Sequence, residues 1–169
     1  MLVSNRKYFP SFVFGSIDGL VTTFAVVSGV IGAALAPKII LILGLANLLA
    51  DGFSMGVSNY LSEKSETPEH RDSTGRTPWK SGVVTFVAFV IVGAVPLLSF
   101  FVALFVPTFV SGQFMWSMIL TGVAFFAVGY LKGVITEHSR MRSAIETLII
   151  GAVAAIIAYY VGFWLAGLM

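Results

Sequence analysis

The sequence predicts an all-α integral membrane protein of five transmembrane helices, and three observations carry that expectation. Only 11% of its 169 residues are charged and 57% are hydrophobic, whereas a soluble domain runs at about 25% charged. No Asp, Glu, Lys or Arg occurs in residues 81–131 or in residues 147–169. The charges that remain gather in short stretches at the edges of apolar runs, and mean hydropathy is +0.95.

Each span follows from the need for about 20 apolar residues to cross a bilayer. The first is expected at roughly 12–35, ending before Pro37, and the second at roughly 39–61. Residues 81–131 would make one helix of about 76 Å, more than twice the thickness of a hydrocarbon core. That run must break, and Pro107 with Gly112 supplies the break. Spans three and four are therefore expected near 81–105 and 114–135, and the fifth near 145–167. The whole chain, 1–169, reads as a single five-helix domain, and residues 62–80 form a short solvated loop. No cleavable signal peptide is expected, because the first apolar segment is long enough to span and lacks a small-residue cleavage pattern.

Lys and Arg set the orientation. Arg6 and Lys7, then Lys64, Arg71, Arg76 and Lys80, then Lys132, Arg140 and Arg142 all fall on one side, and Lys38 alone falls on the other. The N-terminus is thus expected in the cytoplasm and the C-terminus across the membrane. A net charge of +2, placed at membrane edges, gives no reason to expect a nucleic-acid partner. Without cysteine there are no disulfides, thiolate metal sites or cysteine nucleophiles. No nucleophile–base pair, phosphate-binding glycine loop or H-E-x-x-H pattern supports catalysis.

Span two carries the chemistry. A carboxylate at membrane depth costs at least about 2.5–3.5 kcal/mol on insertion scales, yet Asp51 stands near mid-span. At about 100° per residue, Asn47, Asp51, Ser54, Met55 and Ser58 fall within about 100° of one another. Gly52 and Gly56 lie on another face, a small-xxx-small pair that lets a neighbouring helix approach. Span one places Asp18, Thr22 and Thr23 in its first turns. Oxygen ligands suit hard divalent cations and a thioether suits softer ones. Asp18, Asp51, Asn47 and Met55 therefore fit a borderline ion such as Fe2+ or Mn2+, and the carboxylates also suit proton relay. Each residue has a plainer reading too: Met55 as packing, Ser54 and Asn47 as interhelical hydrogen bonds, Asp18 as a helix cap at the interface. Asp51 is the hardest to explain by structure alone.

The stretches "FGSIDGLVTTFAVVSGV" and "GLANLLADGFSMGVSNYLSEKSE" resemble the first two spans of the vacuolar iron transporter family. "VGAVPLL" and "RSAIETLIIGAVAAIIAYYVG" resemble its later spans. The resemblance implies a homodimer that moves Fe2+, and related divalent ions, out of the cytosol in exchange for protons. It implies a pathway at the dimer interface lined by spans one and two, with Asp18 and Met55 on it. Metal ion and protons are then cargo, the lipid bilayer and a second copy are the partners, and no permanently bound cofactor is expected.

Departures from the family pattern matter. Asn47 stands where members can carry a glutamate, and Asp51 one turn on either supplies that charge or helps a dimer pack. Asn59 stands where many members are acidic. Larger members insert a glutamate-rich cytoplasmic domain where only residues 62–80 stand here, which points to a compact prokaryotic inner-membrane form over a vacuolar one. Glu63, Glu66, Glu69 and His70 are weaker candidates, with Asn59, for a cytoplasmic metal-collecting mouth, Glu63 and Glu66 on a helical extension of span two. The competing readings are an Mn2+-selective exporter and a non-transporting membrane scaffold or metal sensor.

Overall fold

The computed structural model describes residues 7–67 and 73–168. Its elements are α1 (Phe9–Gly32), α2 (Pro37–Lys64), α3 (Pro78–Gly93), a 3-10 turn (Val95–Leu97), α4 (Leu98–Ala103), a second 3-10 turn (Pro107–Gly112), α5 (Gln113–Ile135) and α6 (Arg140–Leu168). Among the described residues there is no strand. Five helical segments are long and apolar enough to cross a membrane: α1, α2, Pro78–Ala103, Phe109–Ile135 and α6. The chain is a multi-pass membrane protein.

Local sequence explains where the helices begin and end. A proline occupies the first or second position of α1, α2 and α3, where its missing N–H costs nothing and its fixed φ favours helix. The end of α1 differs from the expected residue 35. The helix stops at Gly32, and Ala34 takes φ 54°. Leu35 N–H then bonds Val30 O at 3.1 Å and Ala34 N–H bonds Ile31 O at 3.0 Å. This is a Schellman closure in which alanine holds the left-handed position that glycine usually fills.

The uncharged run breaks at Pro107–Gly112, but it is also interrupted earlier. At Val95–Leu97 the third span narrows to a 3-10 turn around Pro96, which lacks an N–H and crowds the preceding turn. The buried Ser117 hydroxyl of α5 donates to Pro96 O at 2.6 Å, the kind of neighbouring-helix repair that makes proline tolerable in a span.

α1, α3 and α6 all start at the end of the bundle where Lys7 meets the Gly75 carbonyl, and α2 and α5 run back towards it. α1 is the central element: half of its most apolar window is buried, against 6% for α6. Leu20 and Val27 of α1, Ile40 of α2 and Phe89 of α3 are completely buried. Close approach depends on glycine. A Cβ on Gly56 would sit 2.9 Å from the Gly82 carbonyl oxygen, and one on Gly82 would sit 2.6 Å from that of Gly56. Gly52 meets Phe89 and Val90 of the same helix. The neighbour admitted by the Gly52/Gly56 edge is therefore α3.

Candidate functional site

The polar stripe of α2 remains the part of the molecule least explained by packing. Asn47, Asp51 and Met55 are partly buried on successive turns, and Ser54 and Ser58 are exposed beside them. On α1, Asp18 and Thr22 are also partly buried. The fold brings Asp51 close enough to Asp18 to act on it electrostatically, although 33 residues separate them. Neither aspartate, nor Asn47, makes a side-chain hydrogen bond or ion pair among the described residues. Two carboxylates, one on α1 and one on α2, thus keep open lone pairs inside the spans.

Like charges near one another disfavour each other, and oxygen donors of this kind suit a divalent cation. The set is incomplete within one chain. Among the described residues, no three His, Cys, Asp or Glu side chains come together. A six-coordinate oxygen-rich ion would draw its other ligands from water, Asn47, or a second copy. Met55 is partly buried and packed against the core cluster that includes Leu48 and Phe89.

The mouth residues are placed quite differently. Asn59 Nδ2 donates to Thr85 Oγ1 at 2.7 Å, Ser11 Oγ at 3.2 Å and Ser81 O at 3.4 Å. Thr85 Oγ1 donates in turn to Ser11 O at 3.3 Å. Asn59 is the polar lock of α1, α2 and α3, and the sequence reading had no sign of it. Glu63 lies on the last turn of α2 and is buried, 3.6 Å from Arg76 Nη1. Its second oxygen, Oε2, has no hydrogen-bond partner. Glu66 lies beyond the end of α2 at Lys64, not on a helical extension, since Ser65 N–H already closes the helix on Leu61 O at 3.0 Å. Glu69 and His70 fall outside the described residues. His138 is exposed, its Nδ1 donating to Thr136 O at 2.7 Å, and Lys132 and Glu146 pair at 3.7 Å.

A family model described as "VIT family" matches residues 9–76 and 66–163, two segments that meet in the loop between α2 and α3. A vacuolar iron transporter of Toxoplasma gondii is 40% identical over 77 residues, covering 46% of this chain and 26% of that protein. One from Plasmodium falciparum is 40% identical over 68 residues, covering 40% and 25%. Vacuolar iron transporter 1 of Eucalyptus grandis is 25% identical over 208 residues, covering 87% of this chain and 82% of the relative. The chain therefore spans about a quarter of the length of the Toxoplasma and Plasmodium relatives it matches. The aligned stretch in the Eucalyptus protein, at 208 positions, exceeds the 169 residues of this whole chain, so that relative carries residues without a counterpart here. With nearly its full length matched in order, the chain belongs to the VIT family.

Proposed function

We propose that this protein carries a divalent transition metal, Fe2+ first and Mn2+ second, out of the cytosol in exchange for protons. The observation that supports the reading is a pair of half-buried carboxylates, Asp18 on α1 and Asp51 on α2, that make no side-chain hydrogen bond or ion pair among the described residues. The names of the relatives, vacuolar iron transporters, support metal as cargo. Asp18, Asp51, Asn47, Met55, Thr22 and Ser54 line the path in this reading. A homodimer with α1 and α2 at its interface completes the ligand set, because a two-fold axis near the pair doubles two carboxylates to four. A carboxylate that releases a proton to take up metal, and regains it when metal leaves, couples the two flows in opposite directions. The membrane is the prokaryotic inner membrane in this reading, or a vacuolar membrane in a eukaryote.

The test is purified protein in liposomes with a panel of Fe2+, Mn2+, Co2+ and Zn2+ across an imposed pH gradient. Metal flux with opposing proton movement is expected, and competition among the ions gives the preference. Unchanged flux in both Asp18→Ala and Met55→Ala would place the path elsewhere. One observation favours a second reading: Met55 is packed against the core and, among the described residues, no three acidic or imidazole ligands converge. A non-transporting scaffold or sensor would give background flux with dimerisation intact.

A further inference from the structure

The outer side of the α2–α3 pair carries a second feature, turned away from the polar stripe. Gly56 of α2 and Gly82 of α3 stand so close that a Cβ on either would meet the other's carbonyl oxygen. The floor between the two helices is therefore bare backbone. The side chains flanking it form walls: Phe53, Val57 and Tyr60 from α2, and Trp79, Val83 and Phe86 from α3. They enclose a trough of about 350 Å3. With Asn47 set at 0°, Phe53, Gly56, Val57 and Tyr60 lie at roughly 180–280°, whereas the stripe occupies roughly −20° to 80°. The trough is thus on the far side of α2 from Asp51 and Met55, and among the described residues its walls come from α2 and α3 alone.

Each wall ends in an aromatic residue at the Lys- and Arg-rich end of the bundle, and each of these carries a cation. Lys64 Nζ lies 5.5 Å from the centroid of the Tyr60 ring, and Lys80 Nζ lies 5.5 Å from that of Trp79. Lys64 belongs to the last turn of α2 and Lys80 to the first turn of α3, so both stand at one mouth. Both are exposed, and among the described residues neither forms a salt bridge. The neighbouring acid, Glu63, is buried and committed to Arg76. A lysine over a ring at an exposed site is weakly held, which leaves each ammonium free for an anion. The trough runs about 10 Å from Phe53 to Tyr60 and is too narrow for a helix about 10–12 Å across, so a linear apolar chain suits it. A free phosphate would satisfy the mouth and leave the trough empty. Tyr and Trp mark the headgroup level of a membrane, where basic pockets between spans take anionic lipid.

We infer that the α2–α3 trough holds an anionic phospholipid, its phosphate between Lys64 and Lys80 and one acyl chain against Phe53, Val57, Val83 and Phe86. The proposal stands independently of metal transport.

The full chain, purified in detergent, is mixed with phosphatidylglycerol or phosphatidylcholine and examined by native mass spectrometry and thermal unfolding, with inorganic phosphate as a third arm. Retention of phosphatidylglycerol over phosphatidylcholine is expected, together with a raised unfolding temperature. Retention falls about fivefold for each cation removed in Lys64→Gln and Lys80→Gln. Lys80→Arg, which keeps the charge, retains the lipid and separates charge loss from misfolding. Lys132→Gln removes a cation at the same end of the bundle but outside the trough, and leaves retention unchanged. Val83→Trp fills the trough, keeps both lysines and releases the lipid. Equal retention of the two lipids, or no fall in either lysine-to-glutamine variant of the mouth, overturns the proposal. An equal fall in Lys132→Gln would mean a diffuse attraction to the whole basic edge, and undiminished retention in Val83→Trp would place the chain elsewhere; each overturns it. Inorganic phosphate that stabilises as well as phosphatidylglycerol assigns the mouth to a free anion and overturns it also. The chain has no cysteine, so Val83→Cys gives a clean probe of the trough. An efficient disulfide between two copies would put a second chain there in place of the lipid.

Discussion

The two halves of α2 treat polar side chains in opposite ways. Towards its C-terminal end, Asn59 is bonded to α1 and α3 at once and Glu63 is paired with Arg76. Two to three turns earlier, the half-buried Asn47 and Asp51 make no such bond among the described residues. Buried polar groups are ordinarily paired, since an unmet one costs about 1–3 kcal/mol. The lower, C-terminal half follows that rule except at Glu63 Oε2, and it holds the bundle together. In the middle, two half-buried polar groups stand without a protein partner among the described residues, as is expected where a ligand supplies one. The contrast separates residues that build the site from residues that would use it.

The sharpest way to break the contrast is to remove the carboxylates. Asp18→Ala and Asp51→Ala should each lower metal flux by at least the roughly 10- to 100-fold that loss of even an outer metal-site residue costs. Neither should lower the unfolding temperature, because no hydrogen bond or ion pair is lost. A stability loss without a flux loss would reverse the assignment and make the pair structural. The next effect is purely structural. Gly56→Leu forces a side chain into the Gly82 carbonyl, and overpacking of this kind costs about 1–3 kcal/mol. The variant should unfold at lower temperature, and flux should fall only in proportion to the folded fraction.

How much of this was legible depended on whether the signal was local. The five spans were, because each is an apolar run, and so was the Gly52/Gly56 edge, because two glycines four apart share a face. The end of α1 was misplaced by three residues because Ala34, not a glycine, holds the positive φ. The 3-10 turn at Pro96 was missed because the neighbouring uncharged run already had a stronger break at Pro107 and Gly112. Its repair by Ser117 reaches across 21 residues. The approach of Asp18 to Asp51 and the bonding of Asn59 to Ser11, 48 residues away, are tertiary facts with no local pattern. Asn59 was read as a lost carboxylate when its amide is what the position uses: an N–H donor faces two hydroxyls and a carbonyl.

That difference can be tested within the lower half itself. Asn59→Ala leaves Thr85 Oγ1 without its 2.7 Å donor. Interhelical hydrogen bonds in membranes average about 0.6 kcal/mol and reach about 1.7, so a loss near the upper figure is expected where one amide serves three acceptors. Asn59→Asp is the more telling change. It restores the acidic residue but removes both N–H donors, and sets a carboxylate against the Ser81 carbonyl at the 3.4 Å where a donor stood. Thermal unfolding should show the aspartate variant at least as destabilised as the alanine, with no gain in metal flux. Greater flux in Asn59→Asp would mean that the lower half also conducts, and that the division drawn across α2 is in the wrong place. The smallest effect belongs to Ser117→Ala, which removes one hydroxyl from Pro96 O and should cost about 0.6 kcal/mol, leaving flux and its ion preference untouched.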